Sequence, residues 1–302
     1  MRVVITGGSG LIGSALAREL GGAGQDVVVL TRDAGKVGIL PAGVRAVPWD
    51  GKTAAGWGSL VDGDTIIVHL AGESIASGRW TEDRKRRIRD SRIGSGKAVL
   101  QALRESAVKP RALLQGSAVG YYGPHGDEVI REDAAPGGDF LAEVCKEWEA
   151  STAEAETLGV RRAILRTGVV LAREGGALPK MTLPFKMMVG GPLGNGRQWF
   201  PWIHLADEVG AIRFLAESAE ARGPFNLTAP NPVTNRELAG ILASVLHRPG
   251  FMPAPGFALR LALGEMADML LNGQRVVPSR LQDLGYRFQY SAAEPALRGL
   301  LD

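Results

Sequence analysis

One stretch limits the possible folds of this chain more than any other: Val3-Val4-Ile5-Thr6-Gly7-Gly8-Ser9-Gly10-Leu11-Ile12-Gly13. An apolar, β-branched run enters a glycine-rich turn, and Leu11, Ile12, Ala15, Leu16 and Leu20 then recur on one helical face. A second apolar run, Asp26-Val27-Val28-Val29-Leu30, follows. Strand, glycine turn, helix and strand within about thirty residues is the setting a dinucleotide-binding turn requires. A diphosphate is held by backbone N–H donors, and a helix N-terminus offers them together with a favourable dipole. On this reading Gly8 permits the tight turn, Gly10 leaves the pyrophosphate unobstructed and Gly13 lets the helix close on the strands. The glycines also satisfy a second spacing, Gly7-x-x-Gly10-x-x-Gly13, so Gly7, Gly10, Leu11, Ile12 and Gly13 are the candidate phosphate-binding residues. The competing reading is an ordinary strand-to-helix turn rich in glycine.

The residues after the second strand choose between dinucleotides. An acid at this strand end holds a ribose 2′-hydroxyl in NAD-binding units. Here Thr31 takes that position and Arg32 follows; the planar fork of an arginine suits a 2′-phosphate, which favours NADP(H). Asp33 has about the expected separation from the glycines but falls beyond the strand. At the end of a third strand, Val44–Asp50, Asp50 either meets the adenine amino group or caps the turn at Gly51. A fourth, wholly apolar strand from Thr65 ends in Leu70-Ala71-Gly72, small enough at its end for a cofactor to approach the backbone.

Composition excludes several classes. Of the 302 residues, 45% are hydrophobic and 22% charged, and the formal net charge is +3, which gives no nucleic-acid surface. The densest basic run, Arg84 to Arg92, is interleaved with Asp83 and Asp90 and reads as a solvated helix face. A single cysteine, Cys145, allows no internal disulfide and reads as a small buried hydrophobe. The four histidines are scattered, so no metal site is expected. No apolar run is long enough to span a bilayer and no leader precedes the first strand, so the expectation is a cytoplasmic chain with no membrane partner, monomeric or weakly dimeric.

Further along, helices are expected over 80–105 and 139–158, and strands over Ala112–Ser117 and Arg162–Arg166. This rhythm predicts an α/β fold: a doubly wound parallel Rossmann sheet with a smaller mixed, mainly helical C-terminal substrate lobe. The periodicity breaks over 173–203, which is rich in Gly, Pro, Met and Trp. The expected division is 1–172 with 204–222 returning to it, and a lobe made of 173–203 and 223–302. In the lobe, Lys186, Asn195, Arg197, Gln198 and Trp199 are candidates, by analogy with the fold, for holding diphosphate and base, with Met181, Met187 and Met188 as apolar lining.

These residues resemble the extended short-chain dehydrogenase/reductase family of nucleotide-sugar epimerases and dehydratases. The resemblance rests on Thr6–Gly13, Leu70–Gly72, Gly94-Ser95, Arg166–Val170, Ile203–Asp207 and Phe225–Leu227. Arg79–Thr81, Ser117–Gly123 and Gly273–Val276 are similar to one uncharacterised epimerase-like subfamily whose C-terminal domain has no known function. The family implies hydride chemistry with Ser, Tyr and Lys, the last two spaced YxxxK. Lys146 stands at the lysine position, where it would grip the nicotinamide ribose, but Ala142 replaces the tyrosine and no other YxxxK occurs. Ser117, at the carboxyl end of its strand, together with Tyr121 and Lys146 are therefore the catalytic candidates, with Tyr122 and Glu143 as alternative proton sources. The functional expectation is an NADP(H)-dependent epimerase or oxidoreductase acting on a carbohydrate-like or small carbonyl substrate. The alternative is a non-catalytic NADP(H)-binding regulator.

Overall fold

The computed structural model describes residues 1–32, 40–41 and 43–302; Asp33 lies outside the described residues. Among them, seven strands form one all-parallel sheet: β1 (Arg2–Thr6), β2 (Asp26–Thr31), β3 (Val44–Pro48), β4 (Thr65–His69), β5 (Ala112–Ala118), β6 (Arg161–Thr167) and β7 (Gly223–Leu227). Their spatial order is β7-β6-β5-β4-β1-β2-β3. The chain thus grows outward in one direction as far as β3 and in the other from β4. The crevice between the carboxyl ends of β1 and β4, where Thr6 is paired with Leu30 on one side and His69 on the other, is the switch point at which such sheets bind ligands.

The strands alternate between two faces with period two, and each face has its own core. Val3, Ile5, Val29 and Val68 pack with Leu16 and Leu20 of helix α1 (Leu11–Gly22) on one side. Val4, Val28, Ile67 and Leu113 pack with Val99 and Leu103 of α2 (Glu82–Glu105) on the other, where Trp57 is also buried. The remaining longer helices are α3 (Phe140–Ala150), α4 (Leu178–Lys186), α5 (Leu205–Glu217), α6 (Asn235–Leu246), α7 (Gly256–Leu263) and α8 (Ala293–Leu301). The lobe has a separate core in which Leu178, Phe185, Trp202, Leu238 and Leu297 meet.

Two boundaries differ from the sequence reading. The helix expected over 139–158 stops at Ala150. Ser151 Oγ bonds back to the Trp148 carbonyl at 2.7 Å, and Thr152 Oγ1 leaves the helix to donate to buried Gln115 at 2.9 Å, local bonds that compete with helix continuation. Residues 223–227, grouped with the lobe, form β7, the edge strand of the main sheet, with Asn226 paired to Arg166. The sequence pattern reads these residues as a short strand, as observed; what differs is the sheet they join, where an edge position tolerates Pro224.

At the start of α5 the chain ties its own C-terminal segment down. His204 caps the helix through Nδ1, which accepts from the Ala206 N–H at 3.0 Å, and its ring stacks on Tyr290 at 3.9 Å. Asp207 is fully buried and accepts backbone N–H groups from Gln289 at 2.8 Å and Tyr290 at 2.9 Å. Glu208 is also fully buried; Thr167 Oγ1 donates to its Oε1 at 2.9 Å, and Oε2 meets no partner among the described residues.

Burial pushes the Glu208 carboxyl from an ordinary 4.5 up to about 8, against the pull of Thr167. Between those values the folded chain keeps a proton that the unfolded chain has released. The group's contribution to stability is therefore complete below pH 4.5 and is lost as pH rises through 8. Glu208→Gln is expected to leave the urea midpoint near its wild-type value below pH 4.5 and to raise stability above pH 8 by roughly 2–5 kcal/mol. A pH series of urea melts checks this; equal pH slopes for the two proteins would refute it.

Candidate active site

The phosphate turn is built by close contact. Gly7 is the residue in the left-handed region, at φ 69°, so the tight turn assigned to Gly8 from sequence belongs to Gly7. A Cβ on Gly8 would instead strike Val29 at 2.5 Å, and one on Gly13 would strike the Gly7 carbonyl at 2.5 Å. Gly10 caps α1 in extended conformation, and the helix begins at Leu11, Ile12 and Gly13 with their N–H groups at its open end. Gly7, Gly8 and Gly13 have room only for hydrogen, which lets the turn pack tightly under the open helix end, so the residues present fit a dinucleotide.

Beneath the turn, a buried polar strap joins β1 to β4. Thr6 Oγ1 and His69 Nδ1 share a hydrogen bond at 2.7 Å, and Trp148 Nε1–H donates to His69 Nε2 at 3.4 Å. The same Oγ1 accepts the N–H groups of Leu70 and Ala71, each at 3.1 Å. Burial, followed by the charge of Arg92, lowers His69 to about 3, so the strap is uncharged. It fixes Leu70-Ala71-Gly72 against Gly7, where a Cβ would lie 2.9 Å from the Leu70 carbonyl group. Gly72 is covered by the half-buried Arg92 guanidinium, 3.0 Å from where its Cβ would be.

At the other end of the crevice, Arg32, Pro48, Trp49, Asp50 and Thr53 line an open groove of about 520 Å³. Thr31 ends β2, with its carbonyl accepting from Trp49 N–H at 2.9 Å, and Arg32 beyond it is exposed. Of the two readings of Asp50, the structure contains the cap. Oδ1 accepts the N–H groups of Lys52 at 2.7 Å and Thr53 at 2.9 Å, bonds that hold the carboxyl below its ordinary value.

The substrate end is organised by an ion pair that sequence reasoning did not identify. Glu149 on α3 and Arg166 on β6 are both buried, and two hydrogen bonds at 2.9 and 3.0 Å join them. Burial works against the Arg166 charge, but the bonds to Glu149 outweigh it and hold the guanidinium above its ordinary value. Ser117, itself buried, donates to Glu149 Oε1 at 2.6 Å. Arg166 donates to Tyr122 Oη at 3.0 Å, and Tyr122 donates to Asn226 at 2.7 Å. Burial pushes the Tyr122 phenol up to about 12, so Tyr122 is a buried structural donor. Tyr121 lies with its ring 3.5 Å from the Arg166 guanidinium and is partly exposed, and its hydroxyl makes no hydrogen bond among the described residues. Signals for the pair were present in an acid following Trp148 and an arginine inside an apolar strand, a charge the core admits only with a partner.

Lys146 is partly exposed on α3 and donates to Glu143 at 2.9 Å, so two of the candidates bind each other. Ala142, one turn before Lys146, is fully buried. Cys145 is buried beside Ser117, and burial raises its thiol to about 11, the environment of a small hydrophobe. The lobe candidates separate. Trp199 Nε1–H donates to Asp127 at 2.8 Å and its ring lies 4.6 Å from Arg275. Gln198 Nε2 donates to the Leu193 and Leu270 carbonyls while its buried Oε1 meets no partner among the described residues, and Asn195 Oδ1 accepts the N–H of Arg197 in a local turn. Lys186 is exposed, as are Met187 and Met188, whereas Met181 packs against the lobe core. Gln274 donates to the Val119 carbonyl at 3.1 Å, joining the C-terminal segment to the loop that carries Tyr121.

Comparison with known proteins agrees with this architecture. Residues 254–300 match a domain of unknown function, DUF1731. The chain is 41% identical over 307 residues to the chloroplastic SDR39U1 homolog, an epimerase family protein of Arabidopsis thaliana, covering 100% of this chain and 87% of that protein. It is 40% identical over 302 residues to the epimerase family protein YfhF of Bacillus subtilis, covering 100% of this chain and 98% of that one. The crystal structure of human epimerase family protein SDR39U1 with NADPH superposes with a TM-score of 0.89 at 33% identity, over 99% of each chain. No helix among the described residues is long and apolar enough to cross a membrane. Residues 3–228 match the model of the NAD dependent epimerase/dehydratase family, and the chain belongs to that family.

Proposed function

We propose that the chain binds NADP(H) and catalyses hydride transfer on a carbohydrate-like or small carbonyl substrate, with Tyr121 as the proton donor and acceptor. The observation that carries this reading is the unengaged Tyr121 hydroxyl on a ring held against Arg166. The cofactor assignment rests on the glycine cradle, on Arg32 beside the open groove at the end of β2, and on the NADPH held by the human relative. Gly7, Gly10, Leu11, Ile12 and Gly13 would hold the diphosphate, Arg32 a 2′-phosphate, and Leu70-Ala71-Gly72 the backbone-facing side. The nicotinamide, when bound, gives or takes a hydride. Lys146 would exchange Glu143 for a ribose hydroxyl. Tyr121 would pass its phenolic proton to the substrate oxygen and recover it in the reverse direction. Ser117, Glu149 and Arg166 would keep the ring in place. A second reading, a binding protein without turnover, draws on Ala142 and on Lys146 being paired already.

Titration of the purified chain is expected to give tighter binding of NADPH than of NADH. Arg32→Ala is expected to remove roughly ten- to hundredfold of that preference, the worth of a charged hydrogen bond. Equal affinities in the wild type would refute the Arg32 assignment. Once a substrate is found by NADPH absorbance, Tyr121→Phe is expected to lower kcat by about 10²- to 10⁴-fold with cofactor affinity unchanged. Tyr122→Phe is expected to act on stability instead, costing about 1–3 kcal/mol by stranding Asn226 and Arg166. Full turnover in Tyr121→Phe would overturn the proton-donor role, and no turnover with any carbonyl or sugar substrate would favour the binding protein.

A further inference from the structure

Eight of the ten large apolar side chains that are exposed among the described residues fall in two short segments, residues 183–189 and 251–261. Phe251, Phe257 and Leu261 are each about three-quarters exposed, and Met187 and Met188 more than half. The two segments are adjacent. Met252 N–H donates to the Gly190 carbonyl at 3.1 Å, and the buried Phe185 ring lies against both Gly190 and Gly250, whose Cβ atoms would meet it at 2.3 and 3.4 Å.

Along the stretches of chain that carry these residues the charge has one sign, and the acids Glu265 and Asp268 beyond α7 are each paired with a cation. There is no Asp or Glu between Glu174 and Asp207, and none between Glu237 and Glu265. Those stretches carry Lys180, Lys186, Arg197, Arg248 and Arg260. Arg260 is paired with Asp268 and Lys180 donates to the Ala76 carbonyl, while Lys186 and Arg248, at the ends of α4 and α6, are exposed.

Backbone geometry adds an independent mark. Met188 and His247 are the two non-glycine residues with positive φ among those described, at 65° and 52°. Each follows the last turn of a helix, with the closing bonds Val189 N–H to Pro184 and Arg248 N–H to Ala243, where glycine is the relaxed choice. At Met188 the chain keeps an exposed thioether in a conformation that disfavours any side chain.

We propose that this face docks on the headgroup region of an anionic bilayer, with the Phe and Met side chains entering the interface and Lys186 and Arg248 meeting lipid phosphates. Exposed apolar area rimmed by cations is the pattern of interfacial binding, which needs no membrane-spanning run. It revises the expectation of no membrane partner, which rested on the lack of such a run. A second copy of the chain is disfavoured, because a two-fold contact would set the same cations against each other.

The test is co-sedimentation of the full chain with vesicles of phosphatidylcholine alone and of phosphatidylcholine mixed equally with phosphatidylglycerol. Binding is expected to the mixed vesicles only, and to weaken as salt rises. Lys186→Gln and Arg248→Gln should each cost roughly fivefold, and Phe251→Ser with Phe257→Ser more than about tenfold. Met188→Gly should melt no lower than wild type, because its φ suits glycine, yet bind more weakly. Absence of binding to mixed vesicles at low salt would overturn the proposal, as would unchanged binding of Met188→Gly and the double Phe variant. Dimerisation in analytical ultracentrifugation that these variants abolish would assign the face to a second copy. Retention by soluble polyglutamate without vesicle binding would assign it to an acidic protein.

Discussion

The Glu149–Arg166 pair is the constraint on which the substrate side of the sheet depends. One carboxylate and one guanidinium, both out of water, connect β5 through Ser117, α3 through Glu149, β6 through Arg166 and the loop after β5 through Tyr121 and Tyr122. Removing one partner would leave a buried charge uncompensated, a loss of about 3–5 kcal/mol, whereas the intact pair adds little net stability over apolar packing. Its value lies in geometry. Every oxygen of Glu149 is engaged, so Ser117 and the tyrosines have one arrangement available.

The cofactor side follows the same logic with neutral groups. His69, Thr6 and Trp148 form a strap without charge, and its hydrogen bonds end on the two N–H groups that position Leu70 and Ala71. Burial keeps the imidazole neutral, so the strap positions the backbone without needing a buried counter-ion.

The local features of the fold were legible in the sequence. Glycines between a strand and a helix and runs of valine each act over a few residues, so pattern reading reaches them. β7 was harder, because its membership in the sheet rests on pairing with β6, more than fifty residues earlier. In the candidate site, the glycine turn was readable from its place between a strand and a helix. The sequence left Asp50 and the two tyrosines ambiguous, since hydrogen-bond partners decide them. Tyr121 and Tyr122 are neighbours, yet one is partly exposed with a free hydroxyl and the other is spent on Asn226, more than a hundred residues away. The motif Ile203–Asp207 was visible by resemblance, but its part in pinning Gln289 and Tyr290 appears only when the C-terminal segment is in place.

The position of β7 also bears on how the chain reaches this state. The sheet grows outward from β1, and its last strand is reached only at residue 223, so an all-parallel sheet forms through long loop closures. During synthesis β6, with Ala163, Ile164 and Leu165, would stand as an unpaired edge while some sixty further residues emerge. Such an edge is a template for pairing with another chain. Arg161, Arg162 and Arg166 punctuate that strand with positive charge, and in the native state each is satisfied by carbonyls or carboxylates. The arginines that the native sheet buries are thus the same kind of charge that blunts an unpaired edge against other chains.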